Sequence, residues 1–337
     1  GHPEAAPESC PMHGDFPVFE ELYADAEQRR LAPESALVED AGYGEWTRLR
    51  ETAELAGRVG FRRLGIGHCP DMGREAAAAA SFLQECGLEV LLPCLESGGE
   101  PLQQARQFAC QQTQMNVVAG MCVGHEAVFV SASRVPVTVL VARDRRFRHN
   151  PAAALYTSDS YSRSELFGQT NRAQRQSVAD NSPSRLLQIA EDSSCDPSDP
   201  RCRVAEAIDF ARRLGATHLG LSFCTGLRWE AQILTRVLRA NEFRVTSAIC
   251  KTGSVPKESL GLQDHQKVRP GRPEMICNSL AQAELLNRAG VQLAFVLGQC
   301  VGHDAATLAH LEAPALCLVA KDRVLAHNTV AALHELH

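Results

Sequence analysis

The chain spaces its cysteines in a way that suits soft-metal or redox chemistry. It has thirteen, and eight fall into two sets with the same order: Cys69, Cys94, Cys110 and Cys122, then Cys224, Cys250, Cys277 and Cys300. The last member of each set opens a repeated phrase. Cys122-Val123-Gly124-His125 is followed by Pro136, Asp144-Arg145 and His149-Asn150. Cys300-Val301-Gly302-His303 is followed at one constant offset by Pro314, Asp322-Arg323 and His327-Asn328. Nearly half of the residues from Cys122 to Tyr156 are identical to their partners, so the chain is an internal duplication. Residues present in both copies are candidates for shared chemistry or shared packing.

No C-x-x-C knuckle of the kind that usually holds structural zinc is present. Single cysteines on separate loops suit an iron–sulfur cluster better, a 4Fe-4S cluster above all. Three ligating thiols would leave one iron open to substrate, and the fourth thiol or His303 would be free for chemistry. Zinc held by four thiolates and a metal-free redox dithiol stand as alternatives. The plainer reading makes each cysteine a small buried hydrophobe; it is preferred for Cys86 and Cys317, which lie in apolar segments without counterparts. Cys195 and Cys202 are candidates for a pair or a metal site, and Cys10 is left unassigned.

Other repeated polar residues fall near the cysteines. His125 and His303 follow across a glycine that permits a tight turn, and they suit ligation, support of a ligand, proton transfer or helix capping. Asp144-Arg145 and Asp322-Arg323 suit orientation of a carboxylate substrate or anchoring of a loop. His149 and His327 precede an Asn that suits a helix cap. Glu75 and Glu230 recur in the first helix of each copy as partners for a basic group.

The elements that would position these residues alternate. In the second copy the pattern predicts helix 204–214, strand 218–224, helix 229–240, strand 243–250, helix 279–289, strand 291–300, a short helix 305–310 and strand 315–320. In the first copy it predicts strands at 64–69, 88–94, 116–122 and 135–142 with a helix at 73–85. Cys110 is set against Cys277, and the helix matching 279–289 is read as missing along with most of the loop 253–275. Such alternation predicts an α/β fold with a mainly parallel, Rossmann-like sheet in each copy. Ligands bind at the carboxyl ends of such strands, and Cys224, Cys250 and Cys300 each end one. The expected organisation is an N-terminal helical segment over 1–46, with a break at Gly42-Tyr43-Gly44, and an abridged first repeat over 47–168. A polar linker over 169–201, with a short helix near 185–189, then leads to a complete second repeat over 202–337.

At 337 residues the chain is long enough for two cored domains. A net charge of −6 and 5% aromatic residues offer neither a basic footprint nor a stacking platform for nucleic acid. No apolar run is long enough to span a bilayer, and no signal peptide is apparent, so a cytoplasmic location is expected. Cysteine-rich cytosolic chains more often bind metal or act in redox chemistry than form disulfides.

Several phrases resemble a family of uncharacterised prokaryotic, cysteine-rich proteins described only as metal-binding, a domain of unknown function. They are Phe223-Cys224-Thr225-Gly226-Leu227-Arg228, Cys250-Lys251-Thr252-Gly253-Ser254-Val255-Pro256-Lys257, Val268-Arg269-Pro270-Gly271 and Met275-Ile276-Cys277-Asn278. Ala281-Gln282-Ala283-Glu284-Leu285-Leu286-Asn287, Cys300-Val301-Gly302-His303-Asp304, Lys321-Asp322-Arg323-Val324-Leu325 and His327-Asn328 continue the series. Ser9-Cys10-Pro11-Met12, Val38-Glu39-Asp40-Ala41-Gly42-Tyr43-Gly44-Glu45-Trp46-Thr47-Arg48 and Asp159-Ser160-Tyr161 are similar to its remaining parts. The resemblance implies metal binding. The chain departs from the family in being a tandem fusion, in the abridged first copy, and in keeping only Cys10 of the N-terminal cysteines.

The second copy is therefore the expected functional one. The reading is an iron–sulfur protein, a non-redox lyase, dehydratase or desulfidase, with Lys251, His303, Asp322, Arg323 and His327 around a small anionic substrate. The basic pair Lys267 and Arg269 and the loop 251–257 suit that anion. The alternative is a non-catalytic zinc- or cluster-binding module with a structural or redox-sensing role. A homo-oligomer, or pseudo-symmetric pairing of the two repeats, is also expected.

Overall fold

The computed structural model describes residues 16–94, 100–168, 182–192 and 201–334. Three helices open the described chain: α1 (Phe19–Leu22), α2 (Ala26–Ala41) and α3 (Arg48–Val59). Thr47 caps the start of α3 by accepting from the Arg50 amide, and Gly60 ends it in the left-handed conformation. The first α/β unit continues with β1 (Arg63–Gly67), α4 (Gly73–Glu85), β2 (Glu89–Leu91), α5 (Pro101–Cys110), β3 (Met115–Met121), α6 (Val123–Ala132) and β4 (Val137–Ala142). Two short helices, α7 (Ala152–Tyr156) and α8 (Arg163–Phe167), follow, then α9 (Pro183–Asp192) and α10 (Arg203–Leu214). The second unit runs β5 (His218–Phe223), α11 (Arg228–Ala240), β6 (Arg244–Ile249), α12 (Ser279–Arg288), β7 (Leu293–Leu297), α13 (Val301–His310), β8 (Ala315–Val319) and α14 (Ala331–His334).

Each unit is a four-stranded sheet with every neighbouring pair parallel, ordered β2-β1-β3-β4 and β6-β5-β7-β8. Strands β3, β4, β7 and β8 are buried along their whole length, as strands covered on both faces must be. The chain steps from β1 to β2 on one side and returns to β3 on the other. The crevice at that reversal, where α/β sheets bind ligands, lies between β1 and β3 and between β5 and β7.

The two units meet along β4 and β8, and each borrows the helices that precede the other. Helix α13 packs on β4 and on α2, while α6 packs on β8 and on α9. At the centre are two fully buried arginines related by the repeat. Arg48 donates from Nε to the Val139 carbonyl at 2.7 Å, from Nη1 to the Gln299 carbonyl at 2.8 Å, and pairs with Asp304. Arg203 donates from Nε to the Cys317 carbonyl at 3.0 Å, from Nη1 to the Met121 carbonyl at 2.9 Å, and pairs with Glu126 at 2.7 Å. The same carboxylates accept the Val139 and Cys317 amides, at 3.5 and 2.6 Å. An arginine–carboxylate pair thus takes the place of the next strand at each sheet edge, satisfying groups that would otherwise be orphaned.

The structure corrects three sequence expectations. The first unit does contain the counterpart of α12, namely α5. Cys110 is the last residue of α5, whereas Cys277 precedes α12, so the two are not equivalent. Gly124 and Gly302 do not make a turn: they lie inside α6 and α13. A Cβ on Gly302 would lie 1.8 Å from the Ser35 Oγ of α2, and one on Gly124 2.5 Å from the Cβ of Ala190 in α9, so these glycines exist for close helix approach. Cys86 is exposed at the end of α4, because the segment finishes at the surface; Cys317 is buried in β8.

Replacing Arg48 by Met leaves Asp304 buried and unpaired, and urea unfolding should register a loss of about 3–5 kcal/mol. Arg203→Met should behave alike, while Arg50→Met, at an exposed pair with Glu54, should cost under about 1 kcal/mol. Gly302→Ala should cost about 1–3 kcal/mol through overpacking against α2.

Candidate metal centre

In the second unit three strand ends and the start of a helix bring the four predicted thiols into one closed circuit. Cys224 follows β5, Cys250 follows β6, Cys277 precedes α12, and Cys300 is the N-cap of α13. Cys224 and Cys250 are hydrogen-bonded to each other, as are Cys250 and Cys277. Cys277 and Cys300 each donate to one oxygen of Glu39, at 3.8 and 3.7 Å. Lys321 closes the circuit, its Nζ lying 2.8 Å from the Cys224 Sγ and 3.6 Å from the Cys300 Sγ. Gly298, at φ +66°, turns β7 into the Cys300 loop where a Cβ would strike Leu227 at 2.4 Å, a position that requires glycine.

Cations line the thiols. Lys251 Nζ lies 3.4 Å from the Cys277 Sγ and 2.7 Å from the Met275 carbonyl, and Arg323 Nη2 lies 3.2 Å from the Cys300 Sγ. The hydrogen bond from Cys250 and then the Lys321 ammonium hold the Cys224 thiol well below its usual range, against the cost of burial. Cys250, as the donor of that pair, is pushed up. Burial pushes Cys300 up to about 12 despite Lys321. Burial would also raise Glu39, yet Lys321 and Arg323, with Lys251 further off, hold its carboxyl well below the usual range. Arg323 binds it at 2.7 Å and reaches Glu51 at 3.3 Å; burial moves Glu51 up to about 7.

A cavity of about 520 Å³ opens beside Cys224 and Cys277, lined also by Lys251, Arg269, Arg272, Arg323 and His327. His303 is buried, and burial lowers it to about 4, so it is a neutral imidazole. Its Nδ1 is a buried nitrogen without a hydrogen-bond partner. Among the described residues, two groups of potential ligands have all their donor atoms within 4.8 Å of one another: Glu39, Cys277 and His303 here, and Cys69, Cys122 and His125 in the first unit.

The remaining predicted residues fall differently. Asp322 spends its carboxylate on backbone, accepting from the Val324 and Leu325 amides and, at 2.8 Å, from the Arg48 amide at the start of α3. Asp144 does the same for the Arg203 amide of α10 at 2.8 Å. His327 sits at φ +67°, and its Nδ1 accepts the Asp322 amide at 3.2 Å. Arg145 lies 3.9 Å from Asp71. Glu230 accepts from the Tyr156 hydroxyl, and Lys267 is bound to Glu258 and Asp264 rather than open to an anion. Cys94 is exposed because β2 stops at Leu91, short of it, and Cys110 is exposed at the far end of α5. Cys202 is a buried N-cap of α10; Cys10 and Cys195 lie outside the described residues.

Sequence reasoning missed Glu39, Lys321 and Arg48 as parts of this centre. The repeat offset could have flagged two of them, since it pairs Arg48 with Arg203 and Lys321 with Arg143.

Comparison with known proteins agrees with the duplicated, cysteine-rich architecture. The profile of a protein family of unknown function, DUF1847, matches residues 16–100, 93–140 and 162–318, and the chain belongs to that family. It is also 36% identical over 134 residues to the uncharacterized protein MJ0455 of Methanocaldococcus jannaschii, a match spanning 40% of this chain and 67% of that protein.

Glu39→Gln removes the carboxylate that accepts from Cys277 and Cys300 and pairs with Arg323, and should destabilise the fold by about 3–5 kcal/mol at neutral pH. The sign follows from its depressed pKa. Its contribution is present above the usual carboxylate range and is lost as pH falls below it, so the stability difference between wild type and variant should shrink on acidification in denaturant titrations at several pH values.

Proposed function

We propose that the second unit is an iron–sulfur centre, with Cys224, Cys250, Cys277 and Cys300 holding a 4Fe-4S cluster that faces a pocket for a small anionic substrate. The observation that carries this reading is the circuit of four thiols at one end of the sheet, hydrogen-bonded to lysine and arginine, two of which, Cys224 and Cys277, line a basic cavity. The donor set fits such a group in kind and charge, since thiolate-bound clusters are anionic and their stability depends on nearby charge and hydrogen bonds. The span of the circuit favours a cluster over one zinc ion. A single tetrahedral ion would gather four sulfurs to within about 4 Å of one another, whereas among the described residues the close ligand group of this unit, Glu39, Cys277 and His303, contains just one of the four thiols.

When bound, a cluster with one iron free of thiolate supplies a Lewis-acid site for a substrate oxygen or sulfur, the chemistry of a lyase, dehydratase or desulfidase. The chain's own residues have separate tasks. Arg323 and Arg269 attract and orient the anion from the cavity wall. Lys321 and Lys251 keep the thiols in the ligating form. Neutral His303, with its unpartnered Nδ1, is placed to take up or release a proton beside Glu39. Asp322 and His327 hold the loop that carries Lys321 and Arg323.

Anaerobically purified protein should be brown, with visible charge-transfer absorbance and iron and sulfide in equal amounts. A colourless protein containing stoichiometric zinc would overturn the cluster reading and leave the non-catalytic module. Colour should disappear in Cys224→Ser and Cys300→Ser. In Lys321→Met the reduction potential should fall by on the order of tens of millivolts, because a positive charge next to the sulfurs stabilises the reduced state; a one-electron couple moves about 59 mV per tenfold change in equilibrium constant.

A further inference from the structure

We propose that the first unit holds a second and chemically different centre: a single zinc-type ion bound by Cys69, Cys122 and His125, with its fourth position open. The sequence suggested a weaker copy of the second unit's four-cysteine arrangement, and the structure builds something else. Cys69 follows β1 and Cys122 is the N-cap of α6, so they face each other across the crevice between β1 and β3. The two sulfurs are hydrogen-bonded to each other, and the His125 Nδ1 lies 3.6 Å from the Cys69 Sγ. All three donor atoms are within 4.8 Å of one another. Metal–sulfur and metal–nitrogen bonds of about 2.3 and 2.0 Å at a tetrahedral ion place neighbouring ligand atoms roughly 3.5 Å apart, the spacing seen here between thiol and imidazole.

Contrast with the second unit separates the two chemistries. There His303 approaches Glu39 and Cys277, and four thiols form a wide circuit. Here the histidine closes on the strand-end cysteine, while Cys94 and Cys110 are exposed and take no part. Charge points the same way. Lys321 donates directly to two sulfurs, whereas Arg143, at the equivalent position, is paired with Asp71 and acts on Cys69 through its charge. Two thiolates and a neutral imidazole balance a divalent ion without further cations. Both thiols are buried and His125 is only partly so, which leaves the fourth position on the histidine side, as in zinc sites that keep a place for water or substrate. Binding displaces the two thiol protons to solvent, and the metal keeps its charge state.

This proposal does not rest on the cluster reading, and cobalt(II) tests it separately. The full-length chain carrying Cys224→Ser and Cys300→Ser, stripped by chelator under anaerobic conditions, should bind a single equivalent of Co²⁺. The spectrum should show thiolate-to-cobalt charge transfer and the intense d–d bands of tetrahedral geometry, and Zn²⁺ should bleach them. Cys69→Ser, Cys122→Ser and His125→Ala should each abolish the bands, and Cys94→Ser and Cys110→Ser should leave them intact. If the doubly substituted background does not fold, the same single variants in the wild-type chain should lose one equivalent of bound zinc and keep whatever colour the second unit gives. Bands that survive Cys69→Ser, or that depend on Cys94 or Cys110, overturn the proposal. So does mass spectrometric detection of a Cys69–Cys122 disulfide that forms in place of metal binding, which would make the pair a redox dithiol.

Discussion

Two arginine–carboxylate pairs, buried where the units meet, set the terms for the rest of the structure. Arg48 with Asp304 and Arg203 with Glu126 each close the hydrogen-bonding edge of a strand that belongs to one unit with a carboxylate that belongs to the other. Charges taken so far out of water are tolerated only when every donor and acceptor is satisfied. That requirement fixes the register of the two sheets against each other. It also fixes the starts of α3 and α10, because the backbone amides of the same arginines are held by Asp322 and Asp144. The loops that follow β4 and β8 are therefore tied to helices of the opposite half, and those loops carry Arg143, Lys321 and Arg323.

A second constraint is electrostatic. Four neighbouring thiols disfavour joint ionisation, and the second unit answers with Lys321 and Arg323 from the loop after β8 and Lys251 from the loop after β6. So much positive charge in a buried place needs an anion when the thiols are protonated, and Glu39 supplies it from α2. The thiols and Glu39 share the same cations, which is why the carboxyl remains ionised despite its burial. The first unit has a sparser arrangement, with Arg143 engaged by Asp71 and no lysine on the sulfurs among its described contacts.

Much of this was legible because duplication lets a chain be compared with itself. Strand and helix alternation gave the parallel sheets, and strand-end position pointed Cys224, Cys250 and Cys300 to one edge, with Cys277 ahead of a helix beside them. The errors arose where length was taken as a guide to structure. The short segment between Cys94 and Cys110 suggested a lost helix, yet α5 fits into it with Cys110 at the wrong end for a ligand. Cys94 was placed at a strand end although β2 stops early. Glu39 was invisible for a different reason. It acts across the unit boundary from a helix whose amphipathic pattern reports only its packing, and the repeat offset sets it against Ser194, which lies outside the described residues.

The crossing of helices between the halves also bears on how such a protein can change. If each half were a separate, identical chain, the same contacts would make an isologous pair, and every substitution would be felt at both centres at once. Joining the halves in one polypeptide removes that obligation. One centre can shed its lysines and its long loop while its partner keeps them, and the shared arginines still hold both in register. The fused chain is a dimer released from symmetry, free to divide one inherited pocket into two chemistries.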